Sequence, residues 1–372
     1  MYVVSFQSSH FRNLKEMEFH PDPGMNVICG ENAQGKTNLL EAMYLFSGMR
    51  SFRGAKDHEY LAFGQKECRL SMSFFDGERT QDAELRIGVK KKAFLNRVPL
   101  ESVAGLSGSI YTVVFSPEHI SLVKSAPQIR RRFMDTAIAQ IKPDYGHFLS
   151  QYERVLNQRN ILLKDLRQYA ALRDTMDIWD QQLAKLGTIL TIYRQDYLHK
   201  LQKFSKTIYE GISRRQEDLS LSYISTVFSE EWIGEKYDDA RINQYFEALC
   251  AAREQDVRQG FTSVGVHRDD LEMKINGLSV KNFASQGQQR SCALTLKLAE
   301  ARLLEKINGQ QPVIFLDDVM SELDQNRQEY ILNYIGQCQV FITCCDVLNT
   351  LRMRKGKIFM LADGKICTEQ TL

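Results

Sequence analysis

The sequence lacks the cysteine spacing of a metal-binding or redox motif. Its eight cysteines are scattered, and no two of them are separated by the two residues of a C-x-x-C pair. A zinc ribbon or a thioredoxin-like site is therefore not expected. We predict instead that the cysteines are buried free thiols in a reducing compartment.

Long hydrophobic runs are also missing. No apolar stretch approaches the roughly 20 residues that span a bilayer. The first residues, MYVVSFQSSHFRNLK, have no basic segment followed by an apolar run, so we expect no secretory signal. We predict a cytoplasmic protein with no membrane partner. The net charge of +2 neither requires nor excludes a nucleic-acid partner, because binding depends on local patches of charge.

The chain has 372 residues, enough for two domains or for one large domain with an insertion. Short apolar runs separated by turn signals in the first third predict strands, and such runs return after about Leu219. Between them, apolar residues recur at helical spacing. We therefore predict an α/β fold whose two halves, 1–126 and 219–372, are interrupted by a helical arm at 127–218.

A phosphate-binding loop is predicted at residues 30–38, GENAQGKTN, which fit G-x-x-x-x-G-K-[ST] between a strand-like run and an apolar helix. The loop amides and the helix N-terminus favour phosphate oxygens. The lysine supplies charge for the β- and γ-phosphates of ATP, and the threonine hydroxyl is suited to Mg²⁺. The predicted nucleotide-binding residues are Gly30, Glu31, Asn32, Ala33, Gln34, Gly35, Lys36 and Thr37.

Two acids at the end of a second apolar run would complete such a site. In PVIFLDDVMSELD, residues 312–324, a buried strand is followed by Asp317 and Asp318. Asp317 is predicted to hold Mg²⁺, and Asp318 to orient or deprotonate the attacking water. With Lys36 they form the predicted catalytic set. The simpler alternative is a strand end followed by an acidic helix cap.

The segment ASQGQQRS, residues 284–291, precedes a long predicted helix. Ser285 is suited to cap that helix, and Gly287 with the amides after it would form a second anion site. If the two anion sites lie on different faces, they meet only across two molecules. The sequence then predicts an ATP-dependent homodimer with a two-fold interface.

Taken together, these motifs resemble those of the ABC-type ATPase heads of the SMC superfamily and, more closely, of the RecF family of bacterial recombination and gap-repair proteins. The resemblance covers essentially the whole chain and rests on FRNL, GENAQGKTNLLEA, SFRG, FSPEH, RRRFMD, GVHRDDLE, ASQGQQRS and LDDVMSELD. It implies an ABC-type P-loop ATPase head with mixed sheets and an inserted helical arm.

This resemblance also implies a function. It indicates an ATP-gated dimer with slow hydrolysis of ATP to ADP and phosphate, serving DNA binding at single-strand gaps. RecO and RecR are the implied partners, RecA is loaded indirectly, and recombinational repair, replication restart and the SOS response are the implied processes. By the same resemblance Ser285, Gly287 and Gln288 align with the ABC signature, Asp324 with the D-loop, and Arg12 with a residue near the nucleotide.

Two departures from related sequences carry expectations. Ala33 stands where related loops often have glycine, so we expect the loop to avoid a positive φ there. Asp318 is shorter than the glutamate of most ABC-type ATPases, which is consistent with slow turnover.

Contact with DNA is predicted at basic clusters that bind phosphates without reading sequence. Gapped, single-stranded and duplex DNA would all be bound. The main candidates are Lys90, Lys91, Lys92, Arg130, Arg131 and Arg132; further clusters are Arg214 with Arg215, and Arg352, Arg354, Lys355 and Lys357. Each cluster alone is equally typical of a solvated face, and Arg130 to Arg132 have the alternative of pairing with acids at the root of the arm.

Other classes remain open from the residues alone. The ATP-binding subunit of a membrane transporter would share the loop, the signature and the acids, and a phosphate-loop kinase or nuclease would share the loop. Residues 267–270, His-Arg-Asp-Asp, suggest a metal or acid–base site, but we favour a structural network that joins the returning strand to the ATP core.

Overall fold

The computed structural model describes residues 1–166, 170–214, 216–229, 234, 237–345 and 356–371. The chain forms two compact units, Met1–Ser121 with Ala293–Leu372, and Leu122–Cys292. Among the described residues, no helix combines the length and the apolar character needed to cross a bilayer.

A mixed six-stranded sheet forms the core of the first unit. Its strands are β3 Met25–Cys29, β8 Thr112–Phe115, β12 Val313–Leu316, β13 Val340–Cys344, β14 Lys357–Ala362 and β15 Lys365–Thr371. Their order is β15-β14-β3-β13-β12-β8, with only β15 antiparallel to its neighbour. The central strands are almost continuously apolar because a parallel sheet is covered on both faces.

An antiparallel sheet completes the sheet structure of this unit. Its strands are β1 Tyr2–Ser9, β2 Met17–Phe19, β4 Cys68–Phe75, β5 Thr80–Ile87, β6 Lys91–Leu95 and β7 Val98–Leu100. Their order is β2-β1-β4-β5-β6-β7. Buried side chains alternate with exposed or partly exposed ones along β4, as expected of a sheet with one face on the core.

The first unit also contains four α-helices among the described residues. They are α1 Lys36–Tyr44, α2 Pro117–Ile120, α9 Gln325–Tyr334 and most of α8 Gln286–Asn308. After α1 a short 3₁₀ turn leads to Gly48, whose φ is 78°. Glycine in this left-handed conformation is a common residue just after the end of a helix.

The second unit is mainly helical. It contains α3 Pro127–Ile141, α4 Pro143–Asp165, α5 Met176–Ile212, α6 Asp239–Gln259, α7 Val280–Phe283 and the first residues of α8. A three-stranded antiparallel sheet accompanies them, with β9 Leu219–Ile224, β10 Asp270–Ile275 and β11 Leu278–Ser279. Its order is β11-β10-β9.

The predicted fold class is confirmed, and so is the apolar stripe of the arm. Leu183, Leu190 and Tyr197 on α5 are all buried, as the helical spacing requires. The division of the chain at residues 126 and 218 stays a prediction. The second compact unit contains the predicted arm together with β9–β11 and α6.

The cysteines are free thiols, as predicted, but not all of them are buried. Cys68 and Cys292 lie in the interior, where burial raises the pKa of each thiol to about 12. Cys345 and Cys367 are exposed. The prediction of burial is therefore wrong for these two residues.

Candidate nucleotide site and DNA-binding residues

The phosphate loop connects β3 to α1, the strand-to-helix context that the motif needs. Two positions require glycine. A Cβ on Gly30 would lie 2.3 Å from the carbonyl oxygen of Leu361, and Gly35 has a φ of 108°. The sequence therefore fixes a tight turn that ends at the N-terminus of α1.

The side chain of Lys36 is hydrogen-bonded to the backbone of the phosphate loop. Its Nζ donates to the carbonyl oxygens of Gly30, at 2.6 Å, and Glu31, at 2.9 Å. The same nitrogen lies 3.5 Å from Sγ of Cys345. The side chain is only 8% exposed, so the ammonium group is preorganised within the loop.

The expectation about Ala33 is wrong, because its φ is 66°. A left-handed conformation costs a non-glycine residue about 1 kcal/mol. The Ala33 carbonyl accepts a hydrogen bond from Nδ2 of Asn13 at 2.9 Å. Tertiary contact thus holds a backbone conformation that the residue type disfavours.

Asp317 joins the two predicted halves of the site. Its Oδ1 accepts hydrogen bonds from the hydroxyls of Thr37, at 2.8 Å, and Thr343, at 3.0 Å. Burial raises the pKa of Asp317, while these two hydrogen bonds lower it and the charge of Asp318 raises it further. The Thr37 hydroxyl and the Asp317 carboxylate are hard oxygen donors of the kind that Mg²⁺ prefers.

Asp318 differs from its neighbour in exposure. Its side chain is exposed, its φ is 55°, and its backbone N–H donates to Oγ1 of Thr343 at 2.9 Å. Thr343 therefore contacts both acids and fixes the turn between them. This leaves one carboxylate buried against Thr37 and the other accessible to water.

Arg12 contacts α1 through the buried side chain of Glu41. Its guanidinium contacts Glu41 with Nε–Oε2 at 2.8 Å and Nη2–Oε1 at 3.1 Å. Glu41 is fully buried and also accepts from the Ser51 hydroxyl, and Arg53 Nη1 lies 3.7 Å from it. Two guanidinium groups around one carboxylate leave an excess positive charge beside the first helix after the loop.

The signature residues lie in the second unit, at the start of α8. Ser285 Oγ accepts from the backbone N–H of Gln288 at 3.2 Å, and Gln288 Oε1 accepts from the backbone N–H of Ser285 at 2.8 Å. This reciprocal pair is a capping box, which confirms that Ser285 caps the helix. Gly287 lies in the first turn.

Asp324 caps α9 in the first unit. Its Oδ1 accepts from the backbone N–H of Arg327 at 3.1 Å, and the Arg327 guanidinium contacts the other carboxylate oxygen. The side chain is exposed, so its predicted role at a dimer interface stays a prediction.

The geometry can be compared with known proteins. A family model described as the RecF/RecN/SMC N terminal domain matches residues 2–363. A DNA replication and repair protein RecF from Lactobacillus delbrueckii is 40% identical, with 100% of this chain and 98% of the relative covered. The chain belongs to the RecF family. RecF of Acetivibrio thermocellus is 37% identical over 93% of this chain and 94% of that protein.

Solved structures give the same family. One described as the recombination mediator protein RecF-ATP in the RecFOR pathway is 34% identical, with a TM-score of 0.87 and coverage of 100% and 97%. An Smc head domain from Pyrococcus furiosus, 13% identical with a TM-score of 0.55 and coverage of 100% and 96%, shares the fold. These matches favour a RecF-family protein over the transporter, kinase and nuclease alternatives.

Arg130 is too buried to contact DNA, contrary to the prediction. It is 2% exposed, and its guanidinium binds Asp270 through two hydrogen bonds of 2.7 Å. Arg131 donates to the carbonyl oxygen of Asp269 at 2.8 Å, and Arg132 is half-buried. The alternative pairing of this cluster with nearby acids therefore applies to Arg130.

The lysine cluster at residues 90–92 is more exposed than the arginine cluster at residues 130–132. Lys90 and Lys92 are exposed, whereas Lys91 pairs with Asp57 at 2.6 Å. Of the other clusters, Lys357 pairs with Glu369 at 2.7 Å and Arg214 is exposed. Arg215, Arg352, Arg354 and Lys355 lie outside the described residues.

His267 belongs to a hydrogen-bond network inside the second unit. Its ring nitrogens contact the Tyr152 hydroxyl at 2.8 Å and the Thr262 carbonyl at 3.0 Å. Burial lowers the pKa of His267 to about 4. Asp269 accepts from the Tyr223 hydroxyl at 2.6 Å. All these partners are in the second unit. The network therefore joins the segment before β10 to the arm, whereas the prediction was that it joins the returning strand to the ATP core.

No metal cluster of three or more His, Cys, Asp or Glu side chains occurs within the part of the chain that the structure describes. The structure also shows contacts of four residues for which the sequence predicted no individual role: Asn13, Glu41, Arg53 and Thr343. Thr343 is the penultimate residue of β13, and a polar residue near the carboxyl end of a parallel strand was a usable signal. Glu41 lies in the motif GENAQGKTNLLEA, but that motif does not predict its contacts with Arg12 and Ser51.

Proposed function

We propose that this RecF-family chain is an ATP-dependent DNA-binding protein of recombinational repair and replication restart. The observation that carries the proposal is the Thr37–Asp317 hydrogen bond of 2.8 Å. It brings together the phosphate loop and the acidic strand end, which are 280 residues apart in a chain that matches RecF over its full length.

ATP is the proposed nucleotide, with Mg²⁺ bound to it. The loop amides of residues 30–37 would hold the phosphates, and Lys36 the β- and γ-phosphates. Thr37 and Asp317 would hold Mg²⁺, which supplies charge neutralisation during hydrolysis. Asp318, with its exposed carboxylate, would orient the attacking water.

Dimer closure is the proposed consequence of ATP binding. Each copy would offer Ser285, Gly287 and Gln288 to the γ-phosphate bound by the other copy, and Asp324 would cross the interface. A ligand favours the closed dimer only by its greater affinity for that state. Slow hydrolysis would remove the bridging phosphate, so that the ATPase acts as a timer for DNA binding.

DNA binding would be independent of sequence and sensitive to salt. Lys90 and Lys92 support this proposal, because both side chains are exposed on the first unit and can bind phosphates. Gapped DNA is the proposed target in a cytoplasmic pathway with RecO and RecR, leading indirectly to loading of RecA and to the SOS response.

Replacing Lys90 and Lys92 together by alanine should weaken binding to gapped DNA by about tenfold at moderate salt. Each lysine that contacts a phosphate releases about one counterion, so the slope of log K against log salt should fall by about two. The measurement is a fluorescence anisotropy titration at several salt concentrations with the ATP analogue present.

A matched control removes two exposed lysines of the arm, Lys164 and Lys185, with the same change in net charge. That variant should keep the parent slope. Equal slopes for all three proteins would show that Lys90 and Lys92 do not contact DNA. Failure of the parent to bind gapped DNA at all would contradict the proposed function.

A further inference from the structure

The side-chain amide of Gln288 is held at both ends. Its oxygen accepts the backbone N–H of Ser285, and its Nε2 donates to Oε1 of Glu217 at 2.6 Å. The backbone N–H of Ser285 needs an acceptor, and the Glu217 carboxylate needs a donor. Only one orientation of the Gln288 amide satisfies both contacts. Glu217 therefore fixes the side chain that closes the capping box.

Glu217 is itself placed by fixed neighbours. It lies two residues before β9, and Asp218 next to it exchanges two hydrogen bonds of 2.9 Å with Asn276. The second carboxylate oxygen of Glu217 accepts from the hydroxyl of Tyr209 at 2.7 Å. Both oxygens of this acid are thus bound to named donors.

Tyr209 is the link to the arm. It lies in the last turn of α5, the helix of 37 residues, and is 1% exposed. Burial raises the pKa of Tyr209, and the neighbouring Glu217 raises it further, so the hydroxyl keeps its proton and remains a donor. The Tyr209 hydroxyl also interacts with the thiol of Cys292, one turn after Gln288 on α8.

We propose that Glu217 is the positioning residue of the signature segment, residues 285–288, and that Tyr209 fixes Glu217 for this task. This rests on the proposed function, in which the signature segment contacts the nucleotide of the partner copy. Glu217 touches no nucleotide in this scheme. It holds Gln288, which holds the backbone of Ser285, and so the hydroxyl that would meet the γ-phosphate.

The arrangement also gives the arm a direct connection to the signature. A displacement of the end of α5 moves Tyr209, and the chain of three hydrogen bonds transmits it to Ser285. A loose signature segment would lose conformational freedom at every closure, and freedom lost on binding opposes binding. Loss of Glu217 should therefore weaken the ATP-bound dimer and leave nucleotide binding by one chain unchanged.

The test compares Glu217→Ala, Glu217→Gln and Tyr209→Phe with the parent. The dimer dissociation constant is measured by sedimentation with a non-hydrolysable ATP analogue and Mg²⁺, and ATP affinity is measured on dilute monomer. We expect dimerisation about tenfold weaker for Glu217→Ala, consistent with loss of a hydrogen bond to a charged group. Tyr209→Phe should show a smaller loss of about threefold.

The conservative variant sharpens the comparison. Glutamine at position 217 keeps an oxygen acceptor for Gln288, so Glu217→Gln should recover most of the loss seen with alanine. Monomer ATP affinity should stay within about twofold for all three variants, a split that general destabilisation would not produce. Lys206→Ala removes the exposed Lys206–Asp218 ion pair of 3.0 Å in the same segment and serves as the matched control.

The outcomes separate the two proposals. If the parent dimerises on ATP and Glu217→Ala and Tyr209→Phe dimerise equally well, the role of Glu217 is wrong and the proposed function stands. The role of Glu217 is also wrong if the variants lose monomer ATP binding in proportion to dimerisation. Should Glu217→Ala fail to fold, the isosteric Tyr209→Phe decides. If the parent itself does not dimerise with the ATP analogue, both the shared site and this inference fail.

Discussion

Replacing Lys36 by alanine should lower ATP affinity by about 100-fold and reduce hydrolysis to background. Lys36 is 8% exposed and its ammonium group donates to two loop carbonyls, so it is already oriented when phosphate arrives. A hydrogen bond to a charged partner contributes about 1.5–3 kcal/mol, or roughly 10- to 150-fold in affinity. Isothermal titration with ATP and Mg²⁺ and a phosphate-release assay measure the two effects.

Lys36→Arg is the matched control, since it keeps the charge but not the shape of the ammonium group. Its affinity for ATP should lie between those of the alanine variant and the parent. Thermal unfolding without nucleotide identifies any general loss of structure. Parent-like ATP affinity in Lys36→Ala would contradict the assignment of residues 30–37 as the phosphate loop.

Replacing Ser285 by arginine should abolish ATP-dependent dimerisation while the monomer still binds ATP. The side chain is exposed at the N-terminus of α8, in the second unit, whereas Lys36, Thr37 and Asp317 are in the first. A long side chain at this position would occupy the space of the partner's nucleotide. Sedimentation with the ATP analogue and titration of the monomer measure the two properties separately.

Ser285→Ala controls for the lost helix cap, which is worth about 1 kcal/mol. It removes the hydroxyl without adding bulk, so dimerisation should weaken but persist. Arginine should thus have a much larger effect than alanine at the same position. If Ser285→Arg dimerises with ATP as the parent does, the shared-site model is wrong.

Contiguous motifs made the geometry of the phosphate loop predictable from the sequence. The positions of Gly30, Gly35 and Lys36 in one short segment define both the turn and the charge. The apolar run before Asp317 defines a buried parallel strand whose carboxyl end must face the loop. These predictions depend on local chemistry, so the chain order was sufficient.

Long-range contacts were not predictable in the same way. The positive φ of Ala33 depends on Asn13, and the burial of Arg130 depends on Asp270, 140 residues away. Residue type alone predicts a negative φ for Ala33, because a positive φ favours glycine, and exposure to solvent for Arg130. Tertiary partners overrode both preferences, and no periodicity in the sequence identifies such partners.

The capping box illustrates both cases. Ser285 and Gln288 are three residues apart, so their reciprocal bonding follows a known local pattern. Glu217 is 71 residues from Gln288 and lies between α5 and β9, where the sequence shows only a charged turn. The cap at Ser285 was predicted, whereas the return bond from Gln288 and its connection to the arm required the structure.

The solution mass of the purified protein tests the central claim most directly. It should be measured without nucleotide, with ADP, and with a non-hydrolysable ATP analogue plus Mg²⁺, each with and without gapped DNA. Without DNA, the account predicts the mass of one chain in the absence of nucleotide and with ADP, and twice that mass with the ATP analogue; with gapped DNA, the mass of the bound DNA is added to the protein mass. A protein mass of one chain in every nucleotide condition would mean that residues 284–291 only cap a helix or act within one chain, and would contradict the ATP-gated dimer.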